Sequence, residues 1–261
     1  MRCGVVGEAL SVVFKARRVP SIHLLRLSSG LVLWTYIATH LLNHALGLWS
    51  LAAAEQALRI AIVLWHSWLG TLALYGAFTV HLALALTGLY QRHTLRLPPQ
   101  ELLRIAFGLS FPLLLVGHAI TTRVGYEWYG LLPQYQRVIT SLISSGGEGR
   151  QIALLAPGWL HGCMGLNVAF RHRAGYKRWR WFFVTLAVAL PLASAAGFLM
   201  MSQEIALLLQ NPDWQYLAAK RLSKADAEAL ADLRDQVLNI YGGLLLAVLL
   251  ARTVRWVKSK F

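Results

Sequence analysis

Charged residues thin out six times along this chain, over 29–50, 68–90, 102–122, 152–170, 181–202 and 237–256. Each segment has roughly the 17–25 residues that a helix needs to cross a bilayer. That recurrence fixes the solvent before anything else, because only a helix satisfies its own backbone polar groups in hydrocarbon. Composition agrees: 57% of the 261 residues are hydrophobic, 14% are charged, and the mean hydropathy is +0.51. Soluble domains run nearer a quarter charged. The reading is an all-α integral membrane bundle of six transmembrane helices, occupying 29–261 behind a lead over residues 1–28.

The net charge of +14 does not point to nucleic acid, since the cations sit at segment ends and form no single patch. They read as topology. Seventeen of the 25 Lys and Arg fall in the N-terminal lead, the second and fourth connections and the C-terminus, whereas nine of the 11 acids fall on the other side. Both termini are therefore expected to be cytoplasmic. The opening MRCGVVGEALSVVF is followed by Lys15, Arg17 and Arg18 and does not read as a cleavable signal. Cys3 and Cys163 are too far apart to form a metal motif. The apolar stretch 51–67 carries Glu55 and Arg59 and reads as an interfacial helix. Ser223 and Asp226 have the spacing of a capping box that would start a helix leading into the sixth span.

Five of nine histidines lie inside these spans: His40 and His44 on the first, His81 on the second, His118 on the third and His161 on the fourth. An ionisable ring in hydrocarbon is costly, which makes each a functional hypothesis. Four consecutive antiparallel helices form a bundle whose core holds cofactor sites. Counting rise per residue places His81 and His161 near the bilayer centre and His118 toward the outer face, with His44 outward of a central His40. The expected pairs are His81 with His161, and His118 with His44 or His40. Gly70, Ala77, Ala85 and Gly88 share the face of His81; Gly158 and Gly165 share that of His161. Small residues allow close helix approach, and they also clear space for a macrocycle. A zinc site would ask for more ligands around one centre, whereas a haem needs only two facing imidazoles. The histidines thus predict two haem b groups in a four-helix core from spans one to four. Arg123, at the outer edge of span three, is the candidate for a propionate. His23, His66, His93 and His172 lie at or beyond span ends and are not expected to be ligands.

The run Ser21-Ile22-His23-x-x-Arg26-x-Ser28-Ser29-Gly30, followed by His40, resembles the cytochrome b anchors of succinate dehydrogenase and fumarate reductase. That resemblance implies a quinone pocket near Arg26 and Ser29, and it favours His40 as the first-span ligand. The fuller pattern, with THLLNHALGL in span one and GWLHGCMGL in span four, looks more like the six-helix membrane domain of certain bacterial class III adenylate cyclases. This implies a redox- or quinone-sensing module in the bacterial inner membrane. Such a module would act as a homodimer on a cytoplasmic cyclase or ferredoxin-like domain, and the cyclase's own catalytic carboxylates are not expected in this chain. The competing expectation is an electron-carrying anchor subunit of a respiratory quinone oxidoreductase.

Overall fold

The computed structural model describes residues 21–94, 96–211 and 222–259. Most of the lead therefore lies outside the described residues, but its last part does not. The first helix, α1 (Ile22–Ala45), begins on Ser21, whose Oγ accepts from the backbone N–H of Leu24 at 3.3 Å. The helix thus starts seven residues before the apolar segment that opens at 29, because a serine cap outranks the first purely apolar residue as a start signal. Serine starts three more helices in the same way. Ser50 caps α2 (Leu51–Trp65), Ser67 caps α3 (Trp68–Gln91), and Ser223 opens the 35-residue final helix, α10 (Lys224–Lys258). Ser223 Oγ accepts from Asp226 N–H at 3.1 Å, which is the capping pattern expected there.

Between these come α4 (Pro99–Ala119), a wider turn over Ile120–Val124, and α5 (Gly125–Tyr129). They are followed by α6 (Tyr135–Ser145), α7 (Glu148–Phe170), α8 (Ala174–Arg178) and α9 (Arg180–Leu208). No strand occurs among the described residues. Five stretches are long and apolar enough to cross a membrane: α3, the run Pro99–Tyr129, α7, α9 and α10. Their outward faces carry exposed apolar side chains such as Leu72, Leu192 and Leu250, as lipid contact requires. These five stretches make the chain a multi-pass membrane protein. α1 is 24 residues long, but Arg26, Ser28, Ser29, Thr39, Asn43 and its histidines lower its hydropathy, and it is not one of the five.

α1 packs against α3, α7 and α9, while α4 packs against α7, and α10 lies across α3 and α4. The four histidine-bearing helices therefore follow one another as α3, α1, α7, α4, with α10 closing the ring. Two helix pairs, α1 with α4 and α3 with α7, face each other across its interior. One apolar cluster (Leu41, Leu155, Trp159 and Leu190) holds α1, α7 and α9 together. Trp34 stacks on Trp159 there, with ring centroids 5.3 Å apart. A second cluster, built on Ile139, Phe198, Met201 and Ile205, packs α6 and α9 beside α2. α6 does not follow from the hydropathy of the sequence. Its capping glycine, Gly146, has φ of 65°, the left-handed conformation that ends many helices.

Candidate functional site

The ring interior holds the histidines. His81 on α3 and His161 on α7 meet with ring centroids 6.1 Å apart and planes at 87°. The second pair, His40 on α1 and His118 on α4, has centroids 5.8 Å apart and planes at 66°. His44 packs on His40 itself, with Nε2 to Nε2 at 3.2 Å and planes at 83°. It is the most enclosed of the five at 4% exposure, with Tyr135 and Phe198 presenting edges to its ring. Of the two first-span candidates, His40 is the one facing His118. Counting residues placed His40 too central for this, because rise per residue carries no information on helix tilt.

Hydrogen bonds fix which nitrogen of the inner pair carries the proton. His161 Nδ1 donates to the Arg104 carbonyl at 2.8 Å, since a carbonyl can only accept. Ser29 Oγ sits 2.7 Å from the Leu25 carbonyl and donates there, so it accepts from His81 Nδ1 at 3.2 Å. Both Nε2 atoms are left with a bare lone pair. Gln151, buried on α7, places Nε2 3.2 Å from His118 Nδ1. Buried imidazoles that donate Nδ1–H to a carbonyl or hydroxyl, as His161 and His81 do, are oriented as metal-bound histidines are, whereas the Gln151 amide nitrogen donates to His118 Nδ1.

The glycines that meet the rings lie on helices other than the expected ones. A Cβ on Gly30 would lie 3.2 Å from His81 Cε1, and one on Gly108 would lie 2.5 Å from His161 Cε1. Gly70 instead faces the Leu64 carbonyl, Gly158 faces Phe111, and nothing lies within 4 Å of Gly165. The glycines that matter sit on the neighbouring helix, whereas a same-face argument finds only those on the histidine's own helix. α1 is fixed at its far end by another close approach. A Cβ on Gly197 of α9 would stand 2.2 Å from the His44 carbonyl, and Ser194 Oγ donates to the Leu41 carbonyl at 2.7 Å.

The remaining candidates are accounted for individually. Arg123 donates to Thr71 Oγ1 and pairs with Glu127, both at 3.0 Å, so its charge is already matched. Arg26 donates to the Leu84 carbonyl at 3.4 Å. Ser29 holds His81, a partnership that the sequence does not reveal. Ser29, Gln151, Gly30 and Gly108 are the residues in contact with these histidines that reading the histidines alone misses. Among the described residues no group of three or more His, Cys, Asp or Glu side chains is arranged to hold a metal ion. No family model, no curated protein and no solved structure matches the chain.

Proposed function

We propose that this chain is a six-span, b-type dihaem membrane protein, with one haem held by His81 and His161 and the other by His40 and His118. The observation that carries the reading is the pair of opposed imidazoles on each diagonal of the ring. With metal–imidazole bonds of about 2 Å and roughly 1 Å from ring nitrogen to ring centre, opposed ligands of one ion sit about 6 Å apart. Both centroid separations, 6.1 and 5.8 Å, lie at that value. Gly30 and Gly108 support it further, because each lets a histidine ring pack directly against the neighbouring helix.

When bound, the two haems would supply one-electron transfer between two depths of the bilayer. The chain's own residues do the rest. Ser29 and the Arg104 carbonyl accept the Nδ1 protons of His81 and His161 and so leave Nε2 bare, and Gln151 orients His118. The Trp34–Trp159 stack and its apolar neighbours exclude water from the interior. Both termini are cytoplasmic on the basic-residue count, which places the His81–His161 pair nearer the cytoplasmic side.

The same reading makes the protein a redox or quinone sensor that hands its state to a cytoplasmic class III cyclase, or a related module, through α10. Two features favour a transmitting helix. α10 would extend roughly 50 Å at 1.5 Å per residue, well beyond a bilayer core of about 30 Å. It also touches two of the histidine-bearing helices, α4 at Tyr241 and the end of α3 farther along. Tyr241 Oη donates to the Leu109 carbonyl at 2.8 Å, next to Gly108. Arg252 and Arg255 donate to the carbonyls of Arg92, His93 and Gln91 at the end of α3. The second reading, an electron-carrying anchor of a quinone oxidoreductase, needs the same haems but no moving helix.

The deciding experiment is a spectrum. Protein purified from haem-replete cells is expected to be red, with a reduced b-type spectrum and about two extractable haems per chain. A colourless preparation overturns the proposal.

A further inference from the structure

Two connections meet the same end of the bundle, and their cations are treated differently. Between α3 and α4, Arg92 pairs with Glu101, and Arg104 lies 3.8 Å from the same carboxylate. Between α7 and α9, Arg171, Arg173, Lys177, Arg178 and Arg180 fall within ten residues, all of them exposed. No Asp or Glu occurs over 149–203. Glu148 and Glu204 stand toward the far ends of α7 and α9, roughly 35 Å away at 1.5 Å per residue. Among the described residues none of these five cations is in an ion pair with a carboxylate. Aromatic rings tie the connection together. Tyr176 stacks on Phe183 with centroids 4.9 Å apart, and Phe182 meets both Phe183 and Trp179 edge-on. Arg180 holds its guanidinium 5.8 Å from the centre of the Trp181 ring. Trp181 is 76% exposed and heads a stripe along α9, followed on the same helical face by the exposed Val188, Leu192 and Leu199.

We propose that this connection is a binding site for an anionic phospholipid of the surrounding bilayer. Topology asks for cations at this end but not for cations without counter-ions, and a phosphate supplies what the chain does not. Guanidinium groups suit phosphate oxygens, which they can meet with two parallel hydrogen bonds. The apolar stripe begins directly beside the Arg180 guanidinium, so the occupant that uses both features carries its anion and its hydrocarbon on one molecule. A free phosphate would use the cations alone, and an acidic protein segment would leave the lipid-facing stripe unused. The phosphate belongs beside Arg180, Arg178 and Lys177, with an acyl chain running along Trp181, Val188 and Leu192. This site needs the membrane fold only and is independent of the haems.

The test places the full-length chain in phosphatidylcholine nanodiscs and titrates in lipid brominated on its acyl chains, either phosphatidylglycerol or phosphatidylcholine. Bromine quenches nearby tryptophan, so the quenching lost on Trp181→Phe reads occupancy of the stripe. Phosphatidylglycerol is expected to win, by roughly fivefold in relative affinity for each cation engaged, and rising salt should shrink that preference. Combining Lys177→Gln, Arg178→Gln and Arg180→Gln should bring the two lipids level; all three side chains are exposed, so the fold tolerates the changes. Equal quenching by both lipids in the unmutated protein overturns the proposal. So does a preference that survives the triple variant, or one that Trp181→Phe leaves untouched. Displacement of the lipid by glycerol phosphate, which has no acyl chain, would make this a site for a free anion. Displacement by polyglutamate would make it a protein-docking surface, and either result also refutes the lipid assignment. Should the triple variant fail to reconstitute, the two-lipid comparison and Trp181→Phe decide the matter without it.

Discussion

Each imidazole of the inner pair is useful because of the group at its far nitrogen. The Arg104 carbonyl cannot accept from an imidazole that has lost its Nδ1 proton, so His161 is locked as the tautomer that offers Nε2. Replacing His161 or His81 with alanine is expected to remove one haem, and replacing His40 or His118 the other. His44→Ala should retain both, because His44 meets His40 and not a second metal-facing ring. Haem counting by alkaline pyridine spectra checks this, and a His44 variant that loses a haem while His40→Ala keeps two reverses the assignment. Glu55 offers a pH test outside the spans. Burial on α2 pushes its carboxyl above the usual value of 4.5, although a backbone hydrogen bond from Gln136 opposes the shift. A raised folded-state value means that ionising Glu55 costs stability as pH rises through and above 4.5. Glu55→Gln should therefore melt higher than wild type near pH 7 and equally near about pH 4. A gain that persists undiminished at the acid end refutes that account.

Among the helices, α9 decides how firmly α1 is held. Gly197 lies so close to the His44 carbonyl that an added methyl would have to displace backbone, not a flexible side chain. Gly197→Ala is expected to destabilise the protein by about 1–3 kcal/mol, as overpacking does, and to loosen the His40–His118 haem more than the His81–His161 haem. Differential scanning calorimetry together with haem retention measures both effects; unchanged melting would mean that α9 sits farther from α1. The four serine caps show the opposite case, where an element boundary is set entirely by local chemistry. Their hydroxyls accept first-turn N–H groups that have no helical partner.

At the scale of the whole molecule, the question is whether α10 follows the histidine core. Its hydrogen bonds to the other helices are Tyr241 with the Leu109 carbonyl and Arg252 and Arg255 with the end of α3. A cation at a helix C-terminus is a favourable but modest contact. A redox change can bias α10 only by interacting differently with two arrangements of the bundle. In a fusion to a cyclase domain, cAMP formation is expected to differ between oxidised and reduced protein. Tyr241→Phe with Arg252→Gln should erase that difference while leaving both haems in place. Equal activity in both redox states of the unmutated fusion would make the chain an anchor and not a sensor.

The membrane class, the positions of the long helices, the helix α2 and the Ser223 cap are all legible from residue order. They depend on hydropathy and capping within a few consecutive residues, and those signals are local. The pairing of His81 with His161 is also legible, because both lie mid-span on helices two apart in the chain. Tertiary structure was needed for the rest. That the His40 ring meets His118 depends on how α1 is pinned by Gly197 and Ser194, and neither residue lies on α1. Ser29, Gln151, Gly30 and Gly108 serve histidines 33 to 53 positions away in the chain, and no periodicity within one helix encodes a partner on another.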